Sequence, residues 1–361
     1  MSGFVAHGAT EIVAIASALL PALAGVDAVL PLANLGQLTD LADPTALFGI
    51  FLNALSKFGV YVTIAAGLSL IFGLMGVLNF AHGSLTMIGA YLGGAVMLAF
   101  VSSSTGDFVT IAFFFLALAL VFAIVTAFGA VLEVGVIRPI YDRPPLFQIL
   151  LTFGLVLVLD EALRIVLEVQ DIQPSVEWTE AAGTRPDILG FHDILGVTTR
   201  GIYQFEALVG VLVVIATWWF LTRTSYGLHI RAGSEDAEMA QALGIDVRRS
   251  FTVVFGVGAG LAALAGVMLM WDPRYGASIG LGVETLLIAF VIVIVGGLGS
   301  FKGTVVAAAI VAIVDAVASW MLTNDVVTFA GLPELVIFLV LVGVLVIRPQ
   351  GLFGVEEVGG H

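Results

Sequence analysis

The stretch "GVLNFAHGSLTMIGAY", residues 76–91, places hydrogen-bonding side chains inside a long apolar region. Asn79, His82, Ser84 and Thr86 can each donate or accept hydrogen bonds, and three glycines within the stretch weaken helical structure. Backbone freed at membrane depth is tolerated only where it is buried in protein or lines a water-filled cavity. We therefore predict a protein-lined interruption of a membrane helix here, with Ser84 capping the helix that follows.

Two functions are open for Asn79 and His82. They either satisfy the broken backbone or border a path for a solute. Enzyme chemistry is not indicated, because the chain has no cysteine, no H-E-x-x-H pair and no phosphate-binding P-loop. We therefore expect no catalytic residue, no metal site and no cofactor.

The composition indicates a membrane protein. Of 361 residues 60% are hydrophobic and 11% charged, whereas soluble domains carry about 25% charged residues. Apolar runs approach the roughly 20 residues of a membrane-spanning helix, and such runs must be helical in lipid. We predict an all-α polytopic membrane protein of about 8–10 transmembrane helices with interrupted helices and a weak internal repeat.

The chain divides into three predicted parts. Residues 1–45 form an extension with a possible extra or interfacial helix, residues 46–350 the transmembrane domain, and residues 351–361 a short tail. Clear spans are expected near Phe58–Phe80, Ser84–Val101, Val109–Leu132, Phe147–Leu167, Ala207–Leu221, Phe251–Met270, Leu286–Val295, Thr304–Met321 and Pro333–Ile347.

Arginine placement predicts the orientation. The spans put three arginine-containing segments on one face, near Arg138, near Arg248 and at Arg348. Positive loops mark the cytoplasmic side, so the C-terminus is predicted in the cytoplasm of a cell-membrane protein. The acidic segment Gln170–Tyr203 then lies outside.

Two segments resemble each other. "FAHGSLTMIGA" at 80–90 and "FKGTVVAAAI" at 301–310 share Phe, then Gly, then a hydroxyl residue and a small-residue helix. The second follows Gly297 and Gly299 and contains Gly303. Corresponding glycine-interrupted segments in two halves of a chain indicate a transporter's central site.

Several charges fall within predicted spans. Asp160–Arg164 and Arg164–Glu168 are spaced as i,i+4 pairs, which predicts an internal ion cluster, with a proton relay as the alternative. Asp315 stands alone in its span and is a candidate for a subunit interface or a pathway contact.

The overall charge is strongly acidic, with 27 acidic against 13 basic residues. A surface this acidic and poor in lysine suits high-salt solvent, where screening reduces self-repulsion. An acidic patch for a partner is the alternative explanation.

The most informative polar segment is "SYGLHIRAGSEDAEMAQALGIDVRRSFTVVFGVGAGLAALAGV", residues 225–267. Ser234 is expected to cap a short helix and Gly244 to end it. The face formed by Ala237, Ala240 and Leu243 would dock into a partner's groove. An ordinary connector is the alternative.

Part of this segment, "GLHIRAGSEDAEMAQALGIDVRR", resembles the cytoplasmic loop of permease subunits of branched-chain amino acid ABC transporters. The resemblance extends to "GVLNFAHGSLTMIGAY", "IVGGLGSFKGTVVAAAIVAIVDA" and "RPQGLFG", and covers most of 50–354. The NFAHG form looks like the first of the two permease types that pair in such transporters.

This resemblance implies a permease with two cytoplasmic ATP-binding subunits, a second homologous permease, an extracellular solute-binding protein and no nucleic acid. By position, Arg231, Ala240, Gly244 and Ile245 fall in the loop expected to contact the ATPase. The interrupted segments carry Asn79, His82 and Gly83 in the first case, and Gly297, Gly299 and Gly303 in the second.

Other functions remain open. The wider family also moves urea, amides and, in distant members, sugars. An ion-coupled secondary transporter should place paired ionisable residues near the middle of the membrane, and the sequence shows few central charges.

Overall fold

The computed structural model describes residues 40–41, 43–102, 105–141, 143–171, 180–235, 237–275 and 280–354. The predicted N-terminal extension therefore lies almost wholly outside the described residues.

Eleven α-helices and one hairpin make up the named elements of this part of the chain. The helices are α1 (Pro44–Met75), α2 (His82–Phe100), α3 (Asp107–Leu132), α4 (Pro145–Val169), α5 (Gly201–Arg223), α6 (Ser225–Glu235), α7 (Ala237–Ala242), α8 (Val247–Trp271), α9 (Leu281–Gly296), α10 (Phe301–Thr323) and α11 (Leu332–Ile347). Strands β1 (Phe191–Ile194) and β2 (Val197–Arg200) pair antiparallel between α4 and α5.

The prediction of a helical polytopic membrane protein is confirmed. Six helices, α1, α2, α3, α5, α8 and α10, are long and apolar enough to cross a membrane, and α9 and α11 are shorter apolar helices. The β1–β2 hairpin is an addition that the all-α prediction did not include.

Helix α1 runs through the centre of the bundle. Pro44 occupies its first turn, and the Asp43 carboxylate caps it by accepting a hydrogen bond from the Thr45 amide at 2.9 Å. Its 32 residues end at Met75, and Gly76 follows with a φ of 63°, the left-handed conformation that glycine adopts easily. At 1.5 Å per residue this helix is about 48 Å long, more than a bilayer core requires.

Helix α8 is the second central element and packs against α1, α2 and α3. Small residues permit this close packing: a methyl group on Gly67 of α1 would overlap the backbone of Gly258 on α8, and one on Gly266 would overlap Thr86. On its other side α1 packs against α5 and α10, so its faces are buried around most of its circumference.

The bundle has two distinct ends. One, which we call the hairpin end, carries the β1–β2 hairpin, the start of α1 and the end of α8. The other, the arginine end, carries Arg138, Arg248 and the α6–α7 pair. There the π-helical turn Glu133–Ile137 follows α3, and Arg138 donates two hydrogen bonds to the buried Glu133 carboxylate, at 2.8 and 3.2 Å.

Candidate functional site

The predicted interruption is a short non-helical segment, residues 76–81, between α1 and α2. Asn79 and His82 are both fully buried. The Asn79 side-chain oxygen accepts a hydrogen bond from the Ala81 amide at 3.1 Å, and His82 Nε2 donates to the Ile64 carbonyl at 2.9 Å. Since a carbonyl only accepts, this contact places the ring proton on Nε2. Both side chains thus support backbone around the break.

Each of these two side chains also keeps one buried atom without a partner, Asn79 Nδ2 and His82 Nδ1. The contact at Nε2 leaves Nδ1 as an acceptor, while the amide nitrogen is a donor. The hydrogen bonds with Ala81 and Ile64 therefore give Asn79 and His82 a structural function. A contribution to a solute path stays a prediction.

The predicted capping function of Ser84 is wrong. Helix α2 begins two residues earlier, at His82, so Ser84 lies within its first turn. Its hydroxyl donates to the Asp160 carboxylate of α4 at 2.7 Å, and Thr86 donates to the His82 carbonyl at 3.3 Å. Ser84 therefore links two helices instead of capping one.

The ion cluster expected on α4 also differs from the prediction. Asp160 bonds Ser84, and the salt bridge of Arg164 is with Glu161, three residues before it, at 3.4 Å. Both members of that pair are more than half exposed, so this bridge contributes little.

The second predicted interruption is a tight turn between α9 and α10. Gly297 and Gly299 have φ angles of 100° and 83°, and Ser300 caps α10 by accepting from the Gly303 amide at 3.1 Å. A methyl group on Gly303 would overlap the Gly296 backbone. The turn packs against α1: a methyl group added to Gly73 of α1 would lie 3.1 Å from the Gly299 Cα atom. Both predicted interruptions therefore lie beside α1.

A third interruption, between α8 and α9, was not predicted. It includes Asp272–Tyr275 and leads to Gly282, which lies so close to Gly83 that a methyl group on Gly83 would overlap the Gly282 backbone. The starts of α2 and α9 therefore touch, and the third interruption borders a polar cavity.

This polar cavity, of about 510 Å³, lies between α1, α9, α10 and α11, toward the hairpin end. Its lining carries charges of both signs, from Lys57, Arg274, Asp315, Glu284 and Glu334. Charged groups inside an apolar bundle are costly and usually mark a functional path.

Lys57 and Asp315 form a buried ion pair in the cavity wall. Their Nζ and Oδ1 atoms are 2.6 Å apart, and the side chains are 9% and 3% exposed. Lys57 also donates to Ser319 at 2.7 Å, and the Tyr61 hydroxyl donates to Asp315. Asp315, isolated in the sequence of its span, therefore has partners from α1, and its contribution to a pathway or a subunit interface stays a prediction.

Arg274 forms a second charged cluster beside this pair. Its Nη2 lies 2.6 Å from Glu206 and 2.7 Å from Asp272, and it donates to Ser56 at 2.8 Å. Burial by itself lowers the pKa of the Arg274 guanidinium. The carboxylates of Glu206 and Asp272 more than offset that effect and raise this pKa well above its usual value. Arg274 is therefore a permanent cation between two acids.

Sequence reasoning missed most of this charged network. Lys57 is one of only two lysines and immediately precedes the uncharged segment 58–101, which was a usable signal. Glu206 lies 68 positions before Arg274, and only the packing of α5 against the α8–α9 connection brings it to the Asp272–Arg274 pair.

The predicted coupling segment lies on α6 and α7, and Asp236 between them is outside the described residues. Ser234 lies in the last turn of α6, so the prediction that it begins a helix is wrong. The helix stop is at Gly244, whose φ is 86°, and the Ile245 amide bonds the Ala240 carbonyl at 3.0 Å. Ala237 is the first residue of α7.

The exposed apolar surface of α7 differs from the predicted one. Ala240 is only 3% exposed, so its side chain is packed inside this chain, whereas Met239 and Leu243 are 57% and 76% exposed. Arg231 is exposed, with its Nε bonding the Gly227 carbonyl of the preceding turn at 3.4 Å. The available apolar groups are therefore Met239 and Leu243.

The fold and cavity define the chain as a polytopic membrane protein of the transport class, with interrupted helices around buried charges. The sequence profile described as "Branched-chain amino acid transport system / permease component" matches residues 50–346. The chain therefore belongs to this family, and it is the permease component of a branched-chain amino acid ABC transport system, a transport subunit and not an enzyme.

Individual relatives agree with the family. The high-affinity branched-chain amino acid transport permease LivH of Escherichia coli is 27% identical over 317 residues, covering 85% of this chain and 95% of LivH. BraD of Pseudomonas aeruginosa is 28% identical over 309 residues, with the same coverage of 85% and 95%. A probable LivH of Methanocaldococcus jannaschii is 25% identical, covering 88% and 95%. No solved structure matches the chain.

Proposed function

We propose that this permease imports branched-chain or related amino acids. It works with two cytoplasmic ATP-binding subunits, a second homologous permease and an external solute-binding protein. One observation carries the proposal within this family: the charged cavity lies toward one end of an otherwise apolar bundle. The exposed apolar groups of α7 lie at the opposite end. Solute handling and ATPase contact are thus assigned to opposite ends.

The orientation is part of this proposal. The arginine end faces the cytoplasm, together with the C-terminus, and the hairpin end faces outside, available to a binding protein. Support comes from Arg138, Arg248 and Arg249, which share the arginine end, and from the exposed Thr198 on the opposite hairpin.

Cysteine labelling tests the orientation, since the chain has no cysteine of its own. Thr198→Cys should react with a membrane-impermeant thiol reagent in intact cells, and Arg249→Cys only after lysis. The reverse pattern would overturn the orientation. Ser175, another position in the acidic segment, lies outside the described residues.

ATPase contact is assigned to α7 and the turn after it. Two exposed apolar side chains, Met239 and Leu243, stand there among mostly exposed neighbours. In a partner's groove they would be removed from water, which favours association. Ala240 supports this surface from within, against the rest of the permease.

The partner set is tested by purification from native membranes. A tagged copy of the permease, solubilised in a mild detergent, should retain an ATP-binding subunit and a homologous permease. A separately expressed solute-binding protein should bind the complex. A tagged chain that purifies alone from membranes, at full yield and in a folded state, would contradict the proposal.

One observation favours a second function, ion-coupled transport. The Lys57–Asp315 pair is the paired ionisable group that such a transporter needs, contrary to the expected scarcity of central charges. The two functions differ in energy source: uptake by an importer requires ATP, whereas ion-coupled uptake continues without ATP under an imposed ion gradient.

A further inference from the structure

We propose that the polar cavity is a subsite of the permease that binds the zwitterionic head of an α-amino acid. This inference rests on the proposed import function and adds a place where the permease itself recognises the solute. It is argued from hydrogen-bonding groups in the cavity that the protein leaves unused, from the charges around them and from the apolar remainder of the lining.

Arg274 supplies the carboxylate-binding group. Its Nη2 and Nε atoms bond Glu206, Asp272 and Ser56, whereas its buried Nη1 has no partner among the described residues. A buried guanidinium donor left without an acceptor is costly. A solute carboxylate reaching Nη1 would remove that cost by accepting a charge-assisted hydrogen bond.

The ammonium-binding groups lie in the same lining. The buried Asn53 side-chain oxygen has no hydrogen-bond partner, and neither Glu284 nor Glu334 forms a salt bridge within the part of the chain described. All three line the cavity. An unpaired amide oxygen and two carboxylates are acceptors that a primary ammonium can satisfy. Because Lys57 and Arg274 already have acids as partners, these acceptors stay available for a cation.

The rest of the lining suits an apolar side chain. Leu287, Ile288, Ile337 and Phe338 contribute aliphatic and aromatic surface to the cavity. A cavity of about 510 Å³ is within the range of small-molecule sites. Positive, negative and apolar groups in one cavity match the three parts of a branched-chain amino acid. They do not match a solute that lacks either charge, such as a simple amide or urea.

This subsite changes how selectivity is distributed. If the permease only conducted what a binding protein delivered, a neutral or singly charged analogue would bind the cavity as well as leucine does. The subsite instead requires both charges. Discrimination by both charges is therefore a property of the membrane complex even when the binding protein is absent.

The test uses the complete permease–ATPase complex in nanodiscs, without binding protein, and measures equilibrium binding of radiolabelled L-leucine. Three competitors are compared: unlabelled L-leucine, L-leucinamide, which lacks the carboxylate, and 4-methylpentanoate, which lacks the ammonium. We expect each analogue to compete about tenfold or more weakly than leucine, as the loss of a charged hydrogen bond predicts.

Variants assign the charges. Glu284→Gln should reduce the difference in affinity between leucine and 4-methylpentanoate and leave the difference between leucine and leucinamide unchanged. Arg274→Lys should reduce the difference in affinity between leucine and leucinamide. Glu284 is an exposed residue of the cavity lining, so its variant keeps the proposal testable if Arg274→Lys fails to fold. Glu161→Gln, on an exposed face of α4 and outside the cavity lining, is the matched control and should leave the affinities of both analogues relative to leucine unchanged.

Three results would overturn the subsite: no saturable leucine binding, equal competition by all three compounds, or a Glu284→Gln variant in which the affinities of both analogues relative to leucine are unchanged. Each is distinguishable from failure of the proposed function by a parallel uptake assay with binding protein and ATP. A complex that imports leucine yet shows any of these results keeps its function and lacks the subsite. A complex that imports no amino acid refutes both.

Discussion

Gly83 allows the starts of α2 and α9 to touch, and this contact is the tightest feature of the first interruption. A Cβ atom at this position would overlap the backbone of Gly282, which cannot move aside as a flexible side chain can. Gly154 on α4 offers the opposite case, because nothing lies within 4 Å of an added Cβ. The two glycines therefore separate a packing requirement from a general glycine effect.

Substituting alanine at these two positions should change the stability of the protein differently. Gly83→Ala should lower the free energy of unfolding by about 1–3 kcal/mol, the usual cost of overpacking. Gly154→Ala should leave it unchanged or raise it by up to about 1 kcal/mol, since alanine favours helix. Thermal unfolding of the two purified variants in detergent measures the difference. Equal stability of the two variants would show that the close approach is absent.

The Lys57–Asp315 pair gives a second residue-level prediction. Lys57→Met or Asp315→Leu alone leaves a buried charge without a partner, which should lower the free energy of unfolding by about 3–5 kcal/mol. The double variant removes both charges and should recover most of this loss. A double-mutant cycle by chemical unfolding measures the coupling. Additive losses in the double variant would contradict a direct pair.

The burial of the polar residues around the first interruption was predictable from the sequence, whereas their hydrogen-bond partners were not. Hydrogen-bonding groups in an apolar run must be satisfied inside protein, which is where Asn79 and His82 lie. Whether Ser84 caps a helix or reaches α4 depends on where the helix begins and on which neighbour is near. Both depend on the tertiary packing of the helices. The pairing of Lys57 with Asp315, 258 positions further along the chain, is of the same kind.

At the scale of elements, the interruptions with glycine signals were predictable. Gly76, Gly297 and Gly299 all adopt positive φ angles, which few other residues tolerate, so the sequence carries a local signal at both predicted breaks. The third interruption also contains glycines, Gly276 and Gly280, but it belongs to neither of the two similar segments of the sequence. Its place beside the cavity depends on the approach of Gly282 to Gly83. The hairpin also escaped prediction, because two four-residue strands give too short an alternating pattern.

The α6–α7 pair yields the prediction at this scale. Leu243→Arg should leave the permease folded, because the side chain is 76% exposed, and should weaken ATPase co-purification by introducing a charge into an apolar contact. Ala240→Arg should instead lower the thermal stability of the permease, since that site is packed within the chain.

Leu195→Arg at the tip of the hairpin is the matched control, because the position is 83% exposed and lies at the opposite end of the bundle. It should change neither permease stability nor ATPase retention. If Leu243→Arg retains the ATPase as well as this control does, α7 is only a connector.

For the whole molecule, the acidic composition and the helical membrane architecture need separate explanations. Family membership accounts for the helical bundle, whereas the formal net charge of −14 is a separate property of this sequence. The comparisons give no support to the high-salt hypothesis, so it stays a prediction. Thermal stability that rises with salt concentration would agree with it, since screening weakens repulsion among surface acids.

The central claim is that this chain is the membrane path of an ATP-driven amino acid importer. Its most direct test is uptake of radiolabelled L-leucine into proteoliposomes that contain the permease pair and its ATPase, with loaded binding protein outside and ATP inside. We predict accumulation that stops when ATP is omitted and that excess isoleucine or valine suppresses. Uptake that continues without ATP under an ion gradient, or accumulation of urea or an amide but of no amino acid, would contradict the claim.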